Sequence, residues 1–239
     1  LMHITSLPGP YGIGTMGKCA YAFVDFLQKA GQTHWQVLPL NPTGYGDSPY
    51  QSCSSYAGNP YLIDLELLEQ EGLLQPGEAD KLLWGESGVR VDYGLQYKNR
   101  MRLLRLAYGR FTNWGALDRF CNENSNWLPD FALYMALKDR FDGIPWYRWE
   151  DGLKYRQPEA IRQARQTMQE EIRVYCFVQF LFYKQWNGLR AYAHNKGIRI
   201  IGDVPIYVPL DSVEAWCSPA LFQLDETLTP TAAAGCPPD

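Results

Sequence analysis

The sequence of 239 residues has no basic run. Its 26 acidic residues outnumber the 22 basic ones, for a net charge of −4. That balance argues against a nucleic acid or an anionic membrane surface as partner. It has no C-x-x-C pair either. Cys19, Cys53, Cys121, Cys176, Cys217 and Cys236 are scattered, and His3, His34 and His194 form no ligand motif with them. This excludes a zinc site of the usual spacing and favours the reduced thiols of a cytoplasmic protein over a disulfide framework. No metal or cofactor is expected. No signal peptide opens the chain, and no charge-free apolar stretch is long enough to span a bilayer, so no membrane partner is expected. Internal repeats and low-complexity tracts are missing as well. There is no initiator methionine: the chain starts at Leu1 and stops at Pro237-Pro238-Asp239, and both ends are expected to be cut.

What is present is an ordinary globular composition, 46% hydrophobic and 20% charged, enough to bury a sizeable core. The chain is organised around residues 36–52, QVLPLNPTGYGDSPYQS. Val37 to Leu40 is a short apolar run with the pattern of a strand buried on both faces. Asn41-Pro42 stops it, because the residue before a proline is pushed out of the helical region. Gly44, Gly46 and Pro49 then bend the chain around Tyr45, Asp47, Ser48, Tyr50 and Gln51. Rings, a carboxylate, a hydroxyl and an amide on one strand-end loop suit a polyhydroxylated ligand. A Gly/Pro turn cluster that satisfies its own backbone is the equal alternative.

Taken in order, residues 1–5 suggest the tail of a strand, and residues 18–30 an amphipathic helix closed by Gly31. The next strand ends at Leu40, making the first two strands parallel neighbours. Residues 1–58 thus hold two strands and their loops. Residues 59–157 lose the alternation and are expected to form a helical insertion, with helices near 62–74, 78–84, 97–111 and 127–141. Within it, the tryptophans and tyrosines of PWYRWED (145–151) are expected in the core. Residues 158–239 return to the sheet through a long buried helix, ended by Gly197, and a third strand at Ile200-Ile201. Asp203 emerges at that strand's carboxyl end, and Pro205 marks where the ladder has finished. Asp211 or Ser212 followed by Glu214 has the pattern of a capping box. The fold class is α/β, and strands feeding helices with polar aromatic loops at their carboxyl ends fit the opening third of a (β/α)₈ barrel. A doubly wound sheet is the rival, but the glycine-rich stretch 9–14 contains Pro10 and does not fit G-x-G-x-x-G.

LMHITSLPGPYGIG, the long block containing GYGDSPYQS, RVDYG, FALYMALK, the block containing IIGDVPIYV, and AAAGCPPD together resemble the amylomaltase family. These are the 4-α-glucanotransferases of glycoside hydrolase family 77, which include the plant disproportionating enzymes. The resemblance runs end to end. It implies a partial (β/α)₈ TIM barrel with a large helical insertion after the second strand, and malto-oligosaccharides or α-1,4-glucans as substrates. It further implies a retaining mechanism in which an aspartate forms a glycosyl-enzyme and a glutamate serves as acid, then base. In the family, those carboxylates lie on later strands, so the nucleophile and acid/base are expected beyond Asp239. The sugar-binding half carries over. Ser48 and Tyr50 match donor-subsite residues, Asp203 the third-strand carboxylate, and Asp239 a carboxylate opening a lid-like loop. Tyr45 and Tyr93 match aromatics of a second glucan site. Cys53, Pro209 and Cys236 depart from the small or apolar residues expected there.

Each assignment has a structural alternative. Asp203 is otherwise a buried acid paired with an arginine, Tyr50 a core ring, Ser48 a turn cap, Tyr45 an exposed aromatic and Tyr93 part of a common turn. His34 and His194 fit structural roles, while His3, ending the first strand, has no assignable partner. Two functions therefore stand: part of a 4-α-glucanotransferase, or a non-catalytic α-glucan-binding fragment.

Overall fold

The computed structural model describes residues 1–44, 46–85 and 89–232. In chain order its elements are α1 (Lys18–Lys29), β1 (His34–Gln36), α2 (Leu65–Gln70), α3 (Tyr93–Arg110), α4 (Trp114–Glu123) and α5 (Leu128–Arg140). There follow α6 (Asp151–Lys154), α7 (Pro158–Thr167), α8 (Gln169–Asn195), β2 (Arg199–Ile201) and α9 (Val213–Cys217). The protein is mixed α/β and rich in helix, with a small parallel sheet of β1 and β2. Two compact units divide the chain. The first holds Leu1–Leu40, Gly58–Asn122 and Phe177–Val204; the second holds Asn41–Ala57, Glu123–Cys176 and Pro205–Asp239.

In the first unit, α1 buries Ala20, Val24 and Leu27, the face its sequence spacing predicts. Gly31 turns the chain at φ +69, and β1 pairs in parallel with β2, Trp35 opposite Ile200. The Phe23 ring meets the buried Trp35 ring edge-on at 5.2 Å. The parallel pairing of the second and third expected strands is therefore present, but three other expectations need correction. Residues 1–5 are not a strand. The Met2 amide donates to the Gln36 carbonyl at 3.0 Å, and then Ile4–Ser6 closes into a 3₁₀ turn, so the contact ends there. The second strand is His34–Gln36 and ends before the whole expected run Val37–Leu40: the Leu38 amide donates to His3 Nδ1 at 3.3 Å and Pro39 has no amide to give. Ile201, expected to be buried, is 46% exposed, since β2 pairs only with β1 among the described residues.

The helical stretches at 97–111 and 127–141 appear as α3 and α5, and Pro129 occupies the first turn of α5. Residues 78–84 do not form a helix. The Ala79 carbonyl accepts from the Leu82 amide at 3.1 Å and from the Trp84 indole at 2.9 Å, so no i→i−4 ladder develops. Two buried glutamines of α8 brace the segment that precedes α2. Gln179 bonds both the amide and the carbonyl of Gly58, at 2.7 and 3.0 Å. Gln185 does the same for Asp64, at 2.7 and 3.1 Å. Phe182 lies between them on the helix and leaves no room at Gly58, where a Cβ would stand 2.0 Å from the ring. Asp64 in turn caps α2 through the Leu67 amide and accepts the Thr15 hydroxyl at 2.6 Å.

Tryptophans build the core of the second unit, as expected for PWYRWED. Trp146, Trp149 and Trp216 are buried with Tyr134, and each indole N–H has a partner: Leu210, Ile144 and Leu153 carbonyls at 2.6, 3.0 and 2.8 Å. Partnered in this way, the rings bury large apolar area with no polar atom stranded. The Arg156 guanidinium stacks 4.2 Å over Trp216 and pairs with Asp130 at 2.9 Å.

Candidate functional site

Residues 43–44 and 46–52 form a tight hairpin within the second unit. Thr43 and Ser52 form an antiparallel bridge, and the Gly44 amide donates to the Gln51 carbonyl at 2.8 Å. At the tip, Gly46 and Asp47 take φ +82 and +55, a conformation that costs glycine nothing and suits aspartate better than most residues. The Gln51 amide then closes a turn on the Ser48 carbonyl at 3.1 Å. Ser48 Oγ accepts the Tyr50 amide at 3.3 Å, so the turn-cap alternative holds for Ser48. That geometry leaves its hydroxyl hydrogen available to donate. Tyr50 is 44% exposed and thus no core ring. Asp47 lies half-buried beside them, and burial raises its carboxyl above the usual carboxylate range. The structure thus brings Ser48 and Tyr50 together on one turn.

The hairpin is fastened at its base. Ser52 Oγ donates to the Ser54 carbonyl at 2.8 Å, and the Ser54 hydroxyl accepts the amides of Tyr56 and Ala57, each at 3.2 Å. Glu214 of α9 accepts the Ser55 amide at 2.6 Å, and the Val213 amide donates to the Cys53 carbonyl at 2.9 Å. Behind α9, Asp211 accepts the Tyr134 hydroxyl at 2.7 Å and pairs with Lys138 at 2.8 Å. Burial, then the Asp211 charge, pushes the Tyr134 phenol far above its ordinary range. Desolvation raises the Cys53 thiol to about 12, and its sulfur lies 3.9 Å from Met135 Sδ, a packing contact. None of this serine and glutamate bonding is visible in the sequence. The one available signal, the Glu214 spacing, suggests a helix cap instead.

Asp203 belongs to the first unit, just past the carboxyl end of β2, half-buried and accepting the Val204 amide at 2.8 Å. Tyr93, also in the first unit, begins α3, with Asp92 as its cap. Its ring packs on Tyr61 at 6.1 Å. Tyr45 and Asp239 lie outside the described residues. His3 is 9% exposed, and burial lowers its imidazole to about 4. The ring is therefore neutral near pH 7, and accepting the Leu38 amide at Nδ1 fixes the proton on Nε2. No group of three or more His, Cys, Asp or Glu among the described residues is placed to hold a metal ion. No described helix is long and apolar enough to cross a membrane.

A family model described as 4-alpha-glucanotransferase matches residues 2–239. The chain belongs to the 4-alpha-glucanotransferase family. A 4-alpha-glucanotransferase of Clostridium butyricum is 45% identical over 241 residues, which cover all of this chain and 50% of the relative. One of Thermus thermophilus is 47% identical over 245 residues, with 48% of the relative covered. Among solved structures, an amylomaltase from Streptococcus agalactiae in complex with acarbose is 45% identical. It superposes with a TM-score of 0.96 over all of this chain and 49% of its own length. The chain spans about half the length of the 4-alpha-glucanotransferases it matches.

Proposed function

We propose that this chain supplies the sugar-binding half of a 4-alpha-glucanotransferase that moves α-1,4-glucan segments between malto-oligosaccharides. The observation that carries this reading is the superposition of the whole chain on an amylomaltase in complex with acarbose. In this reading, β1 and β2 are strands of a partial (β/α)₈ barrel, residues 59–157 are a helical insertion between them, and residues 158–239 return to the barrel. Carboxyl-end loops form the substrate face of such barrels. The exposed ring of Tyr50 would offer a flat face to a glucose unit, and Ser48 Oγ a donor to a sugar hydroxyl. Asp203, half-buried at a strand end, would accept from another. Asp239 would contribute from the start of the lid-like loop, while Tyr45 and Tyr93 would hold a longer glucan at a second site.

The chemistry proposed for the complete enzyme is retaining transfer. An aspartate attacks the anomeric carbon as a glutamic acid protonates the leaving 4-oxygen. The 4-hydroxyl of an acceptor glucan, deprotonated by that glutamate, then displaces the aspartate. Both carboxylates would come from outside residues 1–239, so this chain alone would bind and position rather than catalyse. No cofactor or metal is required, and the cytoplasm is the proposed location. A non-catalytic α-glucan-binding fragment is the second reading. Incubation with maltotriose separates the two. Glucose and a ladder of longer oligosaccharides from the full-length protein establish the transferase, and binding of maltotriose without products establishes the second reading.

A further inference from the structure

We propose that Glu214 is a positioning residue for the glucan-binding turn at Ser48 and Tyr50, an assignment that rests on the transferase reading above. The spacing from Asp211 to Glu214 fits a capping box, but α9 is capped by Ser212, whose hydroxyl accepts the Ala215 amide at 3.3 Å. Glu214 is thereby released from capping and reaches residues 54 and 55. One oxygen, Oε1, accepts the Ser55 amide at 2.6 Å and the Ser54 hydroxyl at 3.3 Å. The Ser54 hydroxyl is then fully used: it donates to Glu214 and accepts the Tyr56 and Ala57 amides. Ser54 is linked in both directions to Ser52, whose hydroxyl accepts the Ser54 amide at 3.2 Å and donates to its carbonyl. Ser52 in turn forms the bridge with Thr43 that sets the hairpin register. A hydrogen-bond path therefore joins the carboxylate to the bridge that closes the turn carrying Ser48 and Tyr50.

Its anchor is firm. Asp211, at the mouth of α9, is held by Tyr134, Lys138 and the Trp146 amide, so α9 is a fixed base from which Glu214 acts. The second oxygen, Oε2, is buried and has no hydrogen-bond partner among the described residues. A buried acceptor without a partner is costly, and a residue needed only to start a helix would not have to bear that cost. Because the clamp grips the hairpin at its base, a small shift there is carried to its tip, where it displaces the groups that orient the sugar.

The test is made in the full-length protein, with maltotriose as donor and acarbose as a binding probe. Glu214→Ala is expected to lower kcat/KM for maltotriose by about 10- to 100-fold, the loss typical of a misplaced reacting group. KM should rise and acarbose affinity fall in step, at temperatures well below the melting point of the variant. Glu214→Gln keeps an acceptor oxygen and should restore most of the loss. Should Glu214→Ala fail to fold, Ser54→Ala, which removes the middle of the path, takes its place and should show the same KM-weighted loss. Wild-type kinetics in the folded Glu214→Ala variant, or in Ser54→Ala as its substitute, alongside an impaired Tyr50→Ala, would overturn the positioning role alone. If Tyr50→Ala is also unimpaired, the glucan reading of the turn itself fails.

Discussion

Gly58→Ala is a one-carbon change with a large expected effect. A Cβ on Gly58 would stand 2.0, 2.2 and 2.3 Å from three carbons of the Phe182 ring. Phe182 belongs to α8 between Gln179 and Gln185, so the ring cannot retreat without pulling at the bonds that hold residues 58 and 64. Overpacking of this kind costs about 1–3 kcal/mol. Weakening the two Gln179 bonds adds about 1 kcal/mol each. The sum, about 3–5 kcal/mol, is a large part of the roughly 5–15 kcal/mol that keeps a domain folded. For a chain of this size it corresponds to a fall in melting temperature of about 6–20 °C. Urea unfolding at pH 7 measures it, and the double variant Gly58→Ala/Phe182→Leu should recover a large share, because removing the ring removes the clash. A Gly58→Ala variant as stable as the parent, or a double variant showing the plain sum of the two single losses, would refute the close approach as the reason for glycine.

The imidazole of His3 titrates near 4 in the folded protein and near 6.5 when unfolded. The folded value is depressed, so its contribution is complete above pH 6.5 and is lost as pH falls toward 4, for a total of about 3 kcal/mol; His3→Gln should flatten stability across that window in denaturant titrations. Tyr50→Ala should lower transfer with every donor, whereas Tyr45→Ala should weaken long glucans and spare maltotriose; equal effects on both donors would mean one site rather than two. Along residues 201–208, Val204 and Ile206 are 79% and 90% exposed, beside a strand edge of the kind that invites pairing. Val204→Lys with Ile206→Lys should reduce concentration-dependent self-association of residues 1–239 in sedimentation, and an unchanged profile would show that this run is not sticky.

Periodicity was enough to locate the long elements. Apolar spacing marks α1 and α3, Pro129 the first turn of α5, Gly31 and Gly197 helix ends, and Ile200-Ile201 β2, because these signals are local. The run 37–40 and residues 78–84 escape sequence reasoning for one shared reason: side chains take backbone partners that a regular element would have used. His3 takes the Leu38 amide, and the Trp84 indole takes the Ala79 carbonyl. The Gln179 and Gln185 braces were invisible, since each joins residues 121 positions apart. In the candidate site, Ser48 and Tyr50 were legible from glycine and proline bends that bring them onto one turn. Of the two caps the spacing allows, the fold selects Ser212 over Asp211, and only the fold shows that the Glu214 carboxylate points to the hairpin base.

A crystal structure of the full-length protein soaked with acarbose tests the glucan-binding claim most directly. The inhibitor is expected against the Tyr50 ring, within hydrogen-bond distance of Ser48 Oγ. Acarbose bound elsewhere, with the Ser48–Tyr50 turn untouched, would contradict the glucan-binding claim.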